Sequence, residues 1–317
     1  MPLASNTLPC ASLWFYRDYD HFTGGHLKVS HYLASANASR FWQPKLVFSE
    51  NSHVSDGLWA ESIHCRVASW NTQPGDVVFV AGMDWLYFDQ ANVPSELPVI
   101  NLIQGVRHAN PNTALYSYLS RRAIRICVSE QVKAAILDTG QCNGPVYVIE
   151  NGIDHASVLP SKPLPSAGSW LLVGIKNPVL ASQVAEALKV IGVDVELVNH
   201  SLTQMEFLQK LDKASVAVCF PLKEEGFYLP ALESMARNTL VICPDCVGNR
   251  DFCKPGTALM PEPSVNSYLA CAKHILAMRE GEVSRLLDQA QKTSLRYTRE
   301  AESTHFLSIL EEAYELW

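Results

Sequence analysis

The chain is 317 residues long, with 48% apolar residues, 18% charged residues and a formal charge of −7. At roughly 150 residues per domain this length predicts two domains, each with enough apolar surface for a core. The composition excludes a disordered chain, a collagen-like repeat and a small disulfide scaffold, and the net negative charge argues against a nucleic-acid partner and against broad docking on anionic lipid. No apolar run approaches the roughly 18 residues that cross a bilayer. The opening MPLASNTLPC lacks the basic start and apolar stretch of a secretory leader. The chain therefore reads as soluble and cytoplasmic, with no integral membrane segment.

From the N-terminus, an apolar strand at 13–16 leads through Gly24-Gly25 into a helical stretch ending near Asn37. Apolar runs at 45–48, 77–81, 99–104, 124–129 and 146–149 follow, each bounded by turn residues. Short, nearly continuous apolar strands alternating with helices predict a parallel sheet covered on both faces. The stretch 155–169 holds Pro160, Pro163 and Pro165 among serines and reads as a linker. Alternation then resumes, with strands at 170–175, 193–198, 215–220 and 240–243. Helices are expected at 178–191, at 203–212, and from Pro230 to near Asn238, and the tail from Ser264 is mostly helical. The fold class this predicts is α/β, with doubly wound domains at 1–154 and 170–300, the proline-rich linker 155–169 between them, and a C-terminal helix at 301–317 expected to pack back on the N-terminal domain. Each such sheet offers a crevice at the carboxyl ends of its strands, so two facing domains predict one cleft.

Nine cysteines leave at least one unpaired in any disulfide scheme. Cys127 and Cys219 sit in apolar strands, where cysteine behaves as a small hydrophobe. Cys243-Pro-Asp-Cys246, with Cys253 beyond, has the CxxC spacing of half a zinc site or a redox pair, but no second pair follows at usable spacing. These are read as reduced thiols near a strand end. Asp18-Tyr19-Asp20 is a DxD just after the first strand, and ten histidines include no HxxxH or HExxH pair, so no metal site is expected. Arg121, Arg122 and Arg125 read as a solvated helix end.

The most informative segment is FPLKEEGFYLPALESMA, residues 220–236. A buried strand ends in a loop carrying acids and a glycine, and Pro230 marks the first turn of a helix. Glu233 lies one turn in, flanked by Leu232, Met235 and Ala236, where a carboxylate is costly without a hydrogen-bonding partner. Glu225 is in the loop above it. Both acids can face one ligand, with the helix N-terminus and the loop amides near Gly226 available to an anion.

This segment resembles the E-x7-E signature of the retaining family-4 (group 1) glycosyltransferases of the GT-B fold, in which two Rossmann-like doubly wound domains face each other across a cleft. FTGGHLKV (22–29) resembles that family's N-terminal glycine loop. ICVSEQV (126–132), VIENGID (148–154) and VICPDCVGNRD (241–251) resemble its later strand and hinge segments. The resemblance implies that Glu233 holds the ribose hydroxyls of a UDP- or GDP-sugar and that Glu225 bonds the hydroxyls of the transferred sugar. Gly226 and Phe227 would contact sugar or diphosphate through their amides, and Tyr228 and Leu229 would complete the donor loop. Gly24 and Gly25 would let the backbone approach the β-phosphate. His108, after the strand 99–104, would touch the transferred sugar. The loop that includes Asn199 and Leu202 would meet the base. The implied reaction is metal-independent, cofactor-free transfer with retention to a sugar or glycoconjugate acceptor, in polysaccharide or glycoconjugate biosynthesis.

The sequence also departs from the pattern. Where the family carries a Gly-Arg and a later Lys-Gly, this chain has Gly174-Ile175-Lys176-Asn177-Pro178, so charge compensation for the leaving diphosphate falls to Lys176, with Lys28 or Arg250 as helpers. Tyr228, Asn238 and Leu240 stand where glycine, glycine and proline are usual. These departures keep open a non-catalytic sugar-nucleotide-binding partner subunit, and a GT-B epimerase or phosphorylase. Glycoside hydrolysis by two carboxylates is the competing chemistry of the acid pair.

Overall fold

The computed structural model describes residues 11–54, 57–156 and 162–317. By contacts the chain divides into two compact units, one running to Ile149 and taking in Glu302–Trp317, the other spanning Glu150–Ala301. The unit boundary falls at Ile149/Glu150. The stretch 157–161, within the linker read from the sequence, lies outside the described residues.

In the first unit the elements are β1 (Ala11–Arg17), α1 (Gly24–Ala38), β2 (Trp42–Phe48), β3 (Val77–Ala81), α2 (Trp85–Gln90), β4 (Val99–Ile103), α3 (Ala114–Ser117), β5 (Ile124–Cys127), α4 (Glu130–Leu137) and β6 (Val146–Val148). All six strands are parallel, in the order β2-β1-β3-β4-β5-β6. β3 and β4 are buried at every position, as a sheet covered on both faces requires. α1 starts where the Thr23 side chain accepts from the His26 amide at 3.2 Å, a cap for one of the helix's unpaired first-turn donors.

Arg125 corrects the reading of a solvated basic cluster. It is fully buried in β5 and donates to the carbonyls of Tyr118, Leu119, Arg121, Ala123 and Asn143. A guanidinium with five donors can rivet a loop whose carbonyls would otherwise be unpaired. Arg121 pairs with Asp89, and Arg122 donates to the Trp317 carbonyl.

The second unit holds β7 (Trp170–Val173), α5 (Pro178–Val190), β8 (Val195–Val198), α6 (Gln204–Lys213), β9 (Val216–Cys219), α7 (Leu229–Ala236), β10 (Leu240–Ile242), α8 (Val265–Leu276) and α9 (Glu280–Ser294). Its four parallel strands run in the order β10-β9-β7-β8. Asn177 and Thr203 cap α5 and α6 through their side chains. Asn238, just beyond α7, has φ +54°. It takes the left-handed conformation that ends a helix and that glycine, then asparagine, tolerates best. Residues 162–169 are bonded within this unit: Ser215 Oγ donates to Pro163 O at 2.8 Å and Trp170 Nε1 to Pro165 O at 2.9 Å.

The chain then forms α10 (Arg299–Glu311) and α11 (Ala313–Leu316), and from Glu302 onward it belongs to the first unit. Glu302 is buried there between Lys28, 2.6 Å away, and His31, 2.9 Å away, both on α1. Among the described residues no helix is long and apolar enough to cross a membrane.

Candidate functional site

The order of the second sheet decides where its chemistry sits. β7 lies between β8 and β9, so the chain leaves β7 toward one side and β9 toward the other. The loops after these two strands therefore open beside each other at the carboxyl edge, the switch point at which open α/β sheets bind ligands. The first loop is Gly174–Asn177. Its turn is tight: a Cβ on Gly174 would lie 2.6 Å from the Ala181 Cβ. The second runs from Phe220 to Tyr228 and leads into α7.

The loops meet through Lys176, whose Nζ lies 3.5 Å from Glu225 Oε1. The lysine side chain is half exposed and the glutamate side chain 19% exposed, so this pair faces outward and can rearrange around a ligand. Gly226 is buried and Phe227 partly so. Phe227 packs on Phe252 and Tyr297 with ring centroids 5.4 and 5.8 Å away, which fixes the loop's inner side. The Tyr228 and Leu229 side chains are buried, and the Tyr228 amide donates to Gly248 O at 3.0 Å. No side chain caps the N-terminus of α7.

Glu233 lies on α7 and is only 6% exposed. Gln204, at the start of α6, donates from Nε2 to Glu233 Oε1 at a long 3.4 Å. Burial pushes its carboxyl up to about 7, against the lowering effect of the Gln204 bond. Gln204 is a site residue the sequence reading missed, and its only signal was its place directly after the loop read as base-binding. Of that loop, Asn199 is exposed, while Leu202 packs on the cluster around Leu171 and Leu211.

The other predicted residues fall in the first unit. Gly24 and Gly25 are the first two residues of α1, and the Gln104 carboxamide lies over Gly25, with Nε2 donating to Gly25 O at 3.3 Å. His108 is buried in the turn after β4, and burial lowers its imidazole to about 4, so it is neutral at pH 7. His26, which the sequence reading passed over, is also lowered to about 4, chiefly by burial, and packs edge-on to Tyr19 at 4.8 Å.

The two helpers read for Lys176 differ in setting. Lys28 is buried, paired with Glu302, and donates to Ile149 O at 3.0 Å. Arg250 is held by Asp245 through two hydrogen bonds of 2.9 and 2.7 Å. Asp18 accepts from Ser49, and Asp20 lies beside His21. Among the described residues no group of three or more His, Cys, Asp or Glu is arranged to hold a metal ion.

No family model and no curated protein matches the chain. Solved structures do. HepE from Anabaena, solved in complex with UDP-glucose, superposes with a TM-score of 0.72 at 12% identity, over 95% of this chain and 99% of that one. Sucrose-phosphate synthase from Thermosynechococcus elongatus matches with a TM-score of 0.68 at 13% identity, over 96% and 99%. The lipopolysaccharide outer core galactosyltransferase WaaB matches with 0.67 at 15%, over 95% and 99%. The fold is GT-B. At these identities the likeness is one of fold, and the chemistry of this chain must be argued from its own residues.

Proposed function

We infer that the chain is a glycosyltransferase that takes a sugar from a UDP- or GDP-linked donor and passes it, with retention of configuration, to a sugar or glycoconjugate acceptor. The observation that carries this reading is the vertical arrangement of two carboxylates at one switch point: Glu225 in the outward loop beside Lys176, and Glu233 buried one helical turn below, next to Gln204. A buried carboxylate short of donors suits a vicinal diol, which offers two hydroxyl protons. An outward carboxylate beside a cation suits the sugar and diphosphate end of the same ligand. That HepE was solved with UDP-glucose supports a nucleotide sugar as that ligand.

In this mechanism the ribose binds at Glu233 and Gln204, and Glu225 orients the transferred sugar through its hydroxyls. The bond between the anomeric carbon and the diphosphate breaks while the acceptor oxygen bonds to the same face of that carbon. The acceptor proton passes to the departing phosphate oxygen. Lys176 and the uncapped amides at the start of α7 offset the charge that develops on the diphosphate, without a metal. The roles of Gly24 and Gly25 at the β-phosphate and of His108 at the sugar rest on the family resemblance, as do those of Asn199 and Leu202 at the base.

One observation favours a second reading, a nucleotide-sugar-binding partner subunit without activity. Of the cations read for the diphosphate, Lys28 is buried against Glu302 and Arg250 is paired with Asp245, and the arginine usual in the family's pattern is absent. Calorimetry with UDP and GDP, followed by donor turnover, tests both. The transferase reading expects nucleotide binding that Glu233→Ala weakens, and turnover that Glu225→Ala abolishes. Binding without turnover in the presence of varied acceptors selects the partner subunit. No binding of either nucleotide refutes both.

A further inference from the structure

The chain beyond β10 folds back on itself, and a carboxamide holds the fold closed. Asn249 ends the short turn Val247–Asn249 and is fully buried. Its Oδ1 accepts from the Cys246 amide at 3.1 Å, while Nδ2 donates to Pro244 O at 2.8 Å and to Cys243 Sγ at 3.2 Å. Both amide protons and the carbonyl oxygen are thus engaged within the stretch 243–249. Pro244 and Cys246 are buried, so their backbone groups need these partners, and an aliphatic side chain at 249 would supply none. The Phe252 and Cys253 amides donate to Asn249 O at 3.1 and 2.7 Å, which ties the following backbone to the same residue.

Residues 247 and 248 grip the donor loop from both ends. The Val247 amide donates to Lys223 O, and the Tyr228 amide to Gly248 O, each at 3.0 Å. Glu224, Glu225, Gly226 and Phe227 lie between these two bonds. There is no slack in the contact: a Cβ on Gly248 would lie 2.3 Å from Phe227 N and 2.5 Å from Gly226 C. Glu225 therefore stands where the turn places it, and from there its Oε1 lies 3.5 Å from Lys176 Nζ. Glu233 is fixed differently, inside the regular helix α7 and against Gln204 of α6.

We propose that Asn249 is a positioning residue for Glu225. Its side chain closes the turn, the turn holds the loop, and the loop sets the Glu225 carboxylate against the transferred sugar. Fully buried, Asn249 acts through the backbone at 247 and 248. Releasing it lets the loop drift, and a misplacement of about 1 Å can lower a rate about 10²-fold. The ribose acid on α7 keeps its place, so nucleotide binding and transfer should come apart. The effect on transfer rests on the function inferred above; the grip of Asn249 on the loop does not.

The test is Asn249→Ala in the full chain. Amide exchange should rise at Val247 and Tyr228, whose N–H groups join turn and loop, and stay at the parent level in β9. Affinity for UDP or GDP, by calorimetry, should remain within about twofold of the parent's, as expected of sites without shared partners. Transfer from the matching UDP-glucose or GDP-glucose should fall about 10²-fold. Added to Glu225→Ala, the substitution should leave affinity for that donor unchanged, because the carboxylate it positions is already gone. Equal losses of nucleotide affinity and transfer, a further loss of donor affinity in the double variant, or unchanged exchange at Val247 and Tyr228 overturns the proposal. If Asn249→Ala does not fold, Asn249→Ser carries the same test, since its hydroxyl is too short to hold the Cys246 amide and Pro244 O together. If the parent binds neither nucleotide, the function inferred above fails. In that case, or if glucose is not the sugar transferred, amide exchange at Val247 and Tyr228 decides whether Asn249 holds the loop.

Discussion

Glu233 offers the sharpest test, because the feature proposed to bind the nucleotide is also a fault in the stability of the free protein. Its carboxyl rises from 4.5 to about 7 on folding, mainly through burial. At about 1.4 kcal/mol for each pH unit, that rise corresponds to roughly 3 kcal/mol. The sign follows from which state holds the proton more tightly. Below pH 4.5 both states are protonated and the native state bears no cost. Between 4.5 and about 7 the unfolded chain ionises first, so stability falls as pH rises, and above 7 the whole cost is present. Glu233→Gln keeps the shape and leaves an oxygen for the Gln204 amide, but cannot ionise. At pH 8 the variant should therefore be more stable than the parent by up to about 3 kcal/mol, and at pH 4.5 the two should be equal. Asp84 is likewise raised by burial, to about 6, so the informative quantity is the difference between the two proteins in urea titrations across pH 4.5–8. The same substitution should weaken UDP or GDP binding, since an amide offers one neutral acceptor oxygen where the carboxylate offers two charged ones. In the parent, affinity should drop as pH falls below 7, while the variant's stays level. Parallel stability curves for the two proteins across this range would refute the buried, donor-poor carboxylate on which the functional reading stands.

Two further outcomes follow from the packing. Glu302→Ala strands the buried Lys28 ammonium, now paired at 2.6 Å, and should cost about 3–5 kcal/mol in urea titrations, whereas Lys28→Met combined with Glu302→Leu should recover much of that loss; equal stability of the single and double variants would count against a paired charge. Gly248→Ala places a methyl group 2.3 Å from Phe227 N and should shift the loop that carries Glu225, lowering transfer by about 10²-fold with the circular dichroism spectrum unchanged; transfer at the parent rate would show that the loop's position is unimportant.

Most strands were legible because burial on both faces leaves no room for polar residues, and β3, Val-Val-Phe-Val-Ala, is the plainest case. β2 was legible only in its second half. Its first residues, Trp42, Gln43 and Pro44, mix polar groups with a proline, which only an edge strand tolerates, and β2 is indeed the edge of its sheet. Arg125 misled for the opposite reason. Three arginines in five residues look solvated, and nothing local reveals that one of them lies beneath a ring of carbonyls. The His31–Glu302 contact spans 271 residues, a separation across which no spacing rule operates.

The acid pair was legible for a physical reason that also explains what was missed around it. Strand, loop, acid, proline and helix are contiguous, so the positions of Glu225 and Glu233 follow from local geometry. Their partners do not. Lys176 reaches Glu225 only because β7 and β9 are neighbours whose following loops open side by side, and Gln204 reaches Glu233 only because α6 runs into β9 and starts above α7. Each of these contacts is set by strand order rather than by spacing along the chain. The contiguous motif therefore fixes what can bind, while the sheet topology fixes the charge and hydrogen bonding of the surroundings in which it binds.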